Sequence, residues 1–467
     1  MFRAVFLFFC LWLLPVWSMA SFIPLPESVD AQWTAGFKSV TPLNSDIRSD
    51  DGMATHELRL KGKLFWGGEA FSLYGTPEVR VNDGFTSHLP GGDIPYSDGL
   101  TLRRNLTVSS RWLEVSFREL YVEKEIGETR FRAGNQIFAW GTADLMNPTS
   151  WFNPQDLREL FLKEEDQVAQ GVPALSMLRF FEEYAVEAVV MPVSISRLQS
   201  ESGSFFYVMP DNFALPIRVQ ENEPAAATFE NMGFGMRISR SVGACDLSLS
   251  FYHGPDKEPH LIPERVDTTP GVPVSVHVGS FHSVITGMGG DFSINLGDVV
   301  VQVEGAWTFD KRGYVNQDVS IPSEILFPYT VKRSGYWECS VGLNWFVPVV
   351  EWFPRHEGET VATVEVHGSG FDRDGLGAPL YSRTLAVRLQ DGFWENRIPV
   401  SLAWMGDIED DGEIVWGSIG YDFFNGVVVE ASLFLFDGSP SDASEVGSPF
   451  WYLRKRDVVN VSVSWEF

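Results

Sequence analysis

Asp407, Glu409 and Asp411 stand at alternate positions in Asp407-Ile-Glu-Asp-Asp-Gly-Glu413, the spacing of the first half of a calcium loop. A calcium-binding hand places a carboxylate at its twelfth position, where this chain has Ser418, so an acidic hairpin tip competes with a weak calcium site. The eight histidines, at 56, 88, 253, 260, 277, 282, 356 and 367, show no metal-ligand spacing. His253 and His367 fall on strands near acidic residues, but no nucleophile motif accompanies them, so the expectation is no enzyme and no cofactor. Cys245 and Cys339 are predicted to be unpaired, Cys339 sharing a strand face with Trp337 and Val341.

Another chemistry fits better. Passage of solutes through water needs polar and charged side chains at every second position of strands that are apolar on the other face. Arg237, Gln302, Glu304, Glu338 and Arg388 occupy such positions, with Asp310, Asn344 and Gln390 beside them in the same patterns. Val299, Val301, Val303, Trp307 and Phe309 alternate with Gln302, Glu304, Thr308 and Asp310. Trp337, Cys339, Val341, Leu343 and Trp345 alternate with Glu338, Ser340 and Asn344. Similar hairpins run through 234–251, 385–404 and 412–436, the last folded at Asn425-Gly426.

The carboxy terminus carries the same signature to the last residue. Val459, Val461, Val463, Trp465 and Phe467 share one face, and Val458, Asn460, Ser462, Ser464 and Glu466 share the other. Such a strand suits a transmembrane barrel, in which lipid touches one face and the lumen the other, and closure leaves no backbone edge in hydrocarbon. In bacterial outer-membrane proteins a terminal Phe on such a strand resembles the signal read by the barrel-assembly machinery. Val463, Trp465 and Phe467 are the candidates here.

Residues 1–20 read as a secretory signal peptide, with Arg3, an apolar run and Ser18-Met-Ala20. Residues 21–54 show no convincing alternation and are expected to form a periplasmic tail or plug, a further pair of short strands being the alternative, with the barrel spanning 55–467. The net charge of −27 excludes nucleic acid as a partner and points to acidic loops or lumen walls. The fold class expected is all-β, a transmembrane antiparallel β-barrel of about 16 strands, with 14 to 18 open. Alternating long and short connections place both termini in the periplasm of a cell with an outer membrane.

One segment breaks the rhythm. Residues 130–141 lead through Asp144, Asn147-Pro148, Asn153-Pro154 and Asp156-Leu-Arg158 to Gly171-Val-Pro-Ala-Leu-Ser-Met-Leu178. An insertion over 141–180, folded into the lumen, is expected, with Gln136, Asp144, Asp156 and Arg158 lining a constriction or bracing a plug. Gly134, Gln136, Trp140, Gly141, Asn153, Pro154, Asp156, Leu157, Pro173, Met177 and Leu178 resemble the pattern of a family of uncharacterised porin-like Gram-negative outer-membrane barrels. Asn135 and Gln155 depart from it, standing where that family has basic residues. The resemblance implies an outer-membrane barrel without naming a substrate.

The function expected is an outer-membrane channel for diffusion of small solutes, gated or narrowed by the insertion, with outer-membrane lipid as its surroundings. The alternatives are a closed barrel serving as a surface adhesin through its acidic loops, and a channel for hydrophobic compounds resembling the fatty-acid transporters.

Overall fold

The structure is a computed structural model that describes residues 29–43, 55–82, 101–110, 113–163, 168–198, 217–219, 225–269, 272–316, 329–353, 356, 358–372, 383–408, 412–423, 425–438, 453–454 and 456–467. The expected signal peptide, Glu409, Asp411 and a strand expected near 204–209 lie outside these residues.

Its strands are β1 (Val29–Pro42), β2 (Thr55–Gly67), β3 (Ser72–Asn82), β4 (Thr101–Arg103), β5 (Thr107–Ser109), β6 (Leu113–Ile126), β7 (Thr129–Gln136), β8 (Val172–Phe180) and β9 (Ala185–Met191). They continue as β10 (Ile217–Val219), β11 (Gly233–Val242), β12 (Cys245–Pro255), β13 (His260–Thr269), β14 (Val272–Phe281), β15 (Val284–Asn295) and β16 (Val299–Asn316). The rest are β17 (Tyr329–Val347), β18 (Thr360–Phe371), β19 (Arg383–Phe393), β20 (Ile398–Asp407), β21 (Gly412–Asp422), β22 (Val427–Gly438) and β23 (Val458–Glu466).

Eighteen of these form one closed antiparallel barrel, each pairing with its neighbour in sequence once β4, β5, β10, β13 and β14 are set aside. Closure is made by β1, which pairs with β2 on one side and β23 on the other. Trp33 and Phe467 exchange backbone N–H···O bonds of 3.0 and 2.9 Å at the seam, so the last residue still contributes to the ladder. This corrects the expected boundary, because residues 29–42 are wall and not tail or plug. The count is eighteen where about sixteen was expected. One of the missed strands is β1, whose outward face carries Ala31, Ala35 and Ser39 beside Trp33 and Phe37, too small a set to register as alternation.

Two-residue periodicity then sorts the regular stretches of the wall, and bulges between Gly75 and Pro77 and between Thr308 and Lys311 reset it, so that Lys311 and not Asp310 is sheltered beside Glu258. Leu249 is 72% exposed, Leu402 56% and Ile419 55%, an apolar outer surface that only lipid accommodates without cost. Their strand neighbours Ser248, Ser250, Ala403 and Ser418 turn to the lumen. Cys245 and Cys339 are free thiols, Cys339 lying between the outward-facing Trp337 and Val341.

The ends of the barrel differ. At one end the connections are short: Gly127-Glu128, Gly243-Ala244, 296–298 and 394–397. At the other they are mostly long: 83–112, 137–171, 192–232 and 256–283. The exception at the short end, 348–359, holds a single helical turn, α1 (Val349–Trp352), whose Trp352 ring lies 6.4 Å from the lipid-facing Trp345. At the long end β13 and β14 form a hairpin outside the barrel, with β10 added in parallel.

Candidate functional site: an insertion fastened across the lumen

The connection between β7 and β8 leaves the wall after Gln136 and rejoins it at Val172, which pairs with Gln136. The insertion is therefore 137–171 and not 141–180, since Pro173, Met177 and Leu178 belong to β8. Its departure shortens β7 to eight residues and uncovers the upper part of β6. The small hairpin β4–β5 fills that gap, pairing Thr107 to Ser109 with Glu114 to Ser116. Asn135 seals the corner by donating to the carbonyls of Phe117 and Arg118, both at 2.8 Å.

The first arm of the insertion is held by two wall carboxylates. Glu304 of β16 accepts the backbone N–H groups of Thr142 (2.7 Å), Ala143 (3.0 Å) and Thr149 (2.6 Å), together with the Thr149 hydroxyl (2.9 Å). Glu365 of β18 accepts those of Asp144 (3.0 Å), Leu145 (3.1 Å) and Met146 (2.8 Å). An irregular loop in a lumen must find partners for its N–H groups, and an ionised acceptor gives bonds about twice as strong as a neutral one. Gly141 sets the entry angle. Its φ is +98°, and a Cβ there would stand 2.4 Å from both Asn147 Oδ1 and Glu304 Oε2.

The middle of the insertion packs by its aromatic rings. Trp151 stacks on Tyr252 at 5.8 Å and 4°. Phe152 meets Tyr252 and Trp140 edge-on, both at 5.1 Å. Val172, Val189, Met191 and Ile285 complete this cluster, and Gly287 lets the Trp151 ring reach the wall, since a Cβ would lie 2.5 Å from it. On the opposite side Leu162 joins Met405, Ile414, Phe434, Phe436 and Val458 in a second apolar cluster, with Phe161 against Trp416.

The last arm docks by charge. Arg158 forms bidentate bonds to Glu114 (2.8 and 3.1 Å) and to Asp156 (2.9 and 2.7 Å), and Lys163 also bonds Asp156. Glu159 receives Lys38 Nζ at 2.6 Å and the Arg80 guanidinium. Arg80 continues to Glu57 at 2.6 Å, and Arg59 links Glu57 (2.8 Å) to Glu78 (3.2 Å). Lys38, Arg59, Arg80, Arg158 and Lys163 therefore balance Glu57, Glu78, Glu114, Asp156 and Glu159. A second balanced group stands at the long end: Arg197 and Lys311 hold Glu258 at 3.0 and 2.7 Å, and Lys311 lies 3.5 Å from Asp256. Lys257 there reaches the Ser150 carbonyl of the insertion.

Burial alone would raise the Asp156 and Glu159 carboxyls, but Arg158 and Lys163 at the first, and Arg80 and Lys38 at the second, hold both well below the usual carboxylate range. A carboxyl depressed in the folded state contributes stability above its unfolded pKa, and that stability is lost only as pH falls through the folded value. The insertion is expected to stay docked through about pH 4, near the unfolded values of Asp and Glu, and to release in stronger acid. Tryptophan fluorescence of the refolded protein against pH checks this. Release already between about pH 6 and 5 would contradict the pairing.

The residues singled out from sequence fall into three groups. Gln136, Glu304 and Asp156 are buried anchors and Arg158 is a half-buried one, tied to Glu114 and Asp156; Gln136 bonds the Ala174 carbonyl and Ser176 at 2.8 and 2.7 Å. Arg237 lies 3.4 Å from Asp291 in the wall, and Glu338 sits near Lys311. Asp144, Gln302, Asn344 and Arg388 remain at the lumen surface, with Asn344 donating to Asp144 Oδ2 (2.7 Å) and to Gln302 (3.2 Å). Asp407 ends β20, and its two proposed companions lie outside the described residues. Val463 and Trp465 face lipid on β23, which closes against β1. Sequence reading missed Glu365 and the Glu57–Arg59, Glu78–Arg80 pairs, although the alternations Glu57-Leu-Arg-Leu-Lys61 and Glu78-Val-Arg-Val-Asn82 advertise lumen-facing charge.

A search of curated proteins gives no match. Among solved structures the chain is similar to OccK8 (OprE) of Pseudomonas aeruginosa, with a TM-score of 0.48, 10% identity, and 94% of this chain and 98% of that one covered. OccAB1 of Acinetobacter baumannii follows with a TM-score of 0.47, 7% identity, and 94% and 96% covered. OmpF of Salmonella typhi, in complex with daunomycin, gives 0.40, 9%, and 94% and 97%. These likenesses are too distant to speak to function. The family described as "Protein of unknown function (DUF1302)" matches residues 50–366, more than half of the chain and all of the insertion, and this protein belongs to it.

Proposed function

We propose that the protein is an outer-membrane channel for diffusion of small water-soluble molecules, and that residues 137–171 narrow it as a fixed constriction. The observation that carries this reading is the fastening of the insertion's own backbone by Glu304 and Glu365, at six N–H groups in all. A segment held through its main chain, its rings and its ion pairs is a shaped obstacle in the lumen and not a swinging gate. Barrels of sixteen to eighteen strands are wide enough to leave an aqueous path beside such an obstacle. The long connections would face the exterior and both termini the periplasm, as outer-membrane barrels distribute loop length.

Planar-bilayer recording of the detergent-refolded mature chain tests the reading. Steady conductance without large opening and closing transitions is the expected result. A chain that inserts but passes no current would sink the channel reading and leave a closed barrel displaying its loops.

A further inference from the structure

The charges around the insertion are balanced in two places and unbalanced in a third. The network from Lys38 to Lys163 pairs five cations with five carboxylates, and the group around Lys311 holds its acids with Arg197 and Lys257 nearby. Along 141–149 the situation is different. Glu304 and Glu365 are met by peptide N–H groups alone, apart from the Thr149 hydroxyl, and among the described residues neither is paired with Lys or Arg. Asp144 stands beside Glu365, to which its backbone N–H donates. It is exposed, its bond comes from the neutral amide of Asn344, and it acts on Glu365 through their mutual repulsion.

A peptide dipole satisfies a carboxylate locally without cancelling its charge, whereas a guanidinium or ammonium cancels the field at a distance. Of the lumen cations nearest in register, Arg388 stands across Thr363 from Asn344 and is engaged with neighbours, and Arg237 is held by Asp291. The exposed charge carried by the insertion itself at this level is thus an anion, Asp144, backed by the further negative charge of Glu365. We infer that this constriction selects for cationic solutes, with Asp144 as the residue that determines the preference. This rests on the channel reading above.

The test is the reversal potential of refolded wild type, Asp144→Asn and the control Glu69→Gln under a potassium chloride gradient. Asn keeps a hydrogen-bonding group beside Asn344, and Glu69 lies in the short β2–β3 turn outside the lumen. Expected is potassium preference in wild type, a fall in the potassium-to-chloride ratio on the order of threefold in Asp144→Asn, and no change in the control. A wild type that conducts without preference, or prefers chloride, overturns the inference and leaves the channel reading standing. A preference unchanged in Asp144→Asn overturns the assignment to Asp144. A silent wild type overturns the channel reading, and this inference with it.

Discussion

Replacing residues 139–169 with a short glycine linker is expected to raise the single-channel conductance several-fold over the wild-type chain. The rejoined strands tolerate the change because Gln136 and Val172 are already register partners, so a simple hairpin suffices to reconnect β7 to β8. The insertion meets the wall on three sides: at Glu304 and Glu365, at the Tyr252 cluster, and at Lys38 and Arg80. Its removal frees that cross-section to water. The uncovered charges of β1 to β3 and β6 then line an aqueous lumen, where ion pairs are not required for solvation. Conductance equal to wild type would show that current bypasses the insertion, and the constriction assignment would fail.

Arg80→Ala is the substitution with the largest expected cost in stability, about 3–5 kcal/mol, because it leaves buried carboxylates without their cation. Arg80 is 2% exposed and Glu159 1%, and Arg80 also bonds Glu57 at 2.6 Å. Denaturant titration of the refolded barrel, followed by tryptophan emission, measures the loss. Adding Glu159→Gln to Arg80→Ala should recover part of it, since a neutral amide needs no counter-charge. A loss below about 1 kcal/mol would mean that water already reaches the pair, as at exposed ion pairs.

Much of the architecture was legible in single strands. The period-2 patterns at 299–309, 337–345 and 458–467 assign lipid and lumen faces without any knowledge of neighbours, because each residue's side is set by its own strand's pleat. The break in that pattern likewise located the insertion, although it begins at 137, four residues before the expected 141. Its far boundary was misplaced, because Pro173 and the apolar residues around it read as loop when taken alone, and only the pairing with β7 makes them wall.

What the local pattern cannot carry is the identity of partners. Gln136, Glu304, Asp156 and Arg158 were recognised as lumen polar groups, but whether such a group meets water or a buried acceptor depends on what the insertion brings to it. Glu304 bonds residues 155 to 162 positions away, and Glu365 residues 219 to 221 away. The sequence by itself determined the lipid and lumen faces of strands whose two-residue repeat is unbroken, and not those of β1 or of the stretch of β16 beyond its bulge. The tertiary structure alone decided which lumen charges are neutralised in pairs and which, like Asp144, are left facing the path, because neutralisation depends on distances across the barrel.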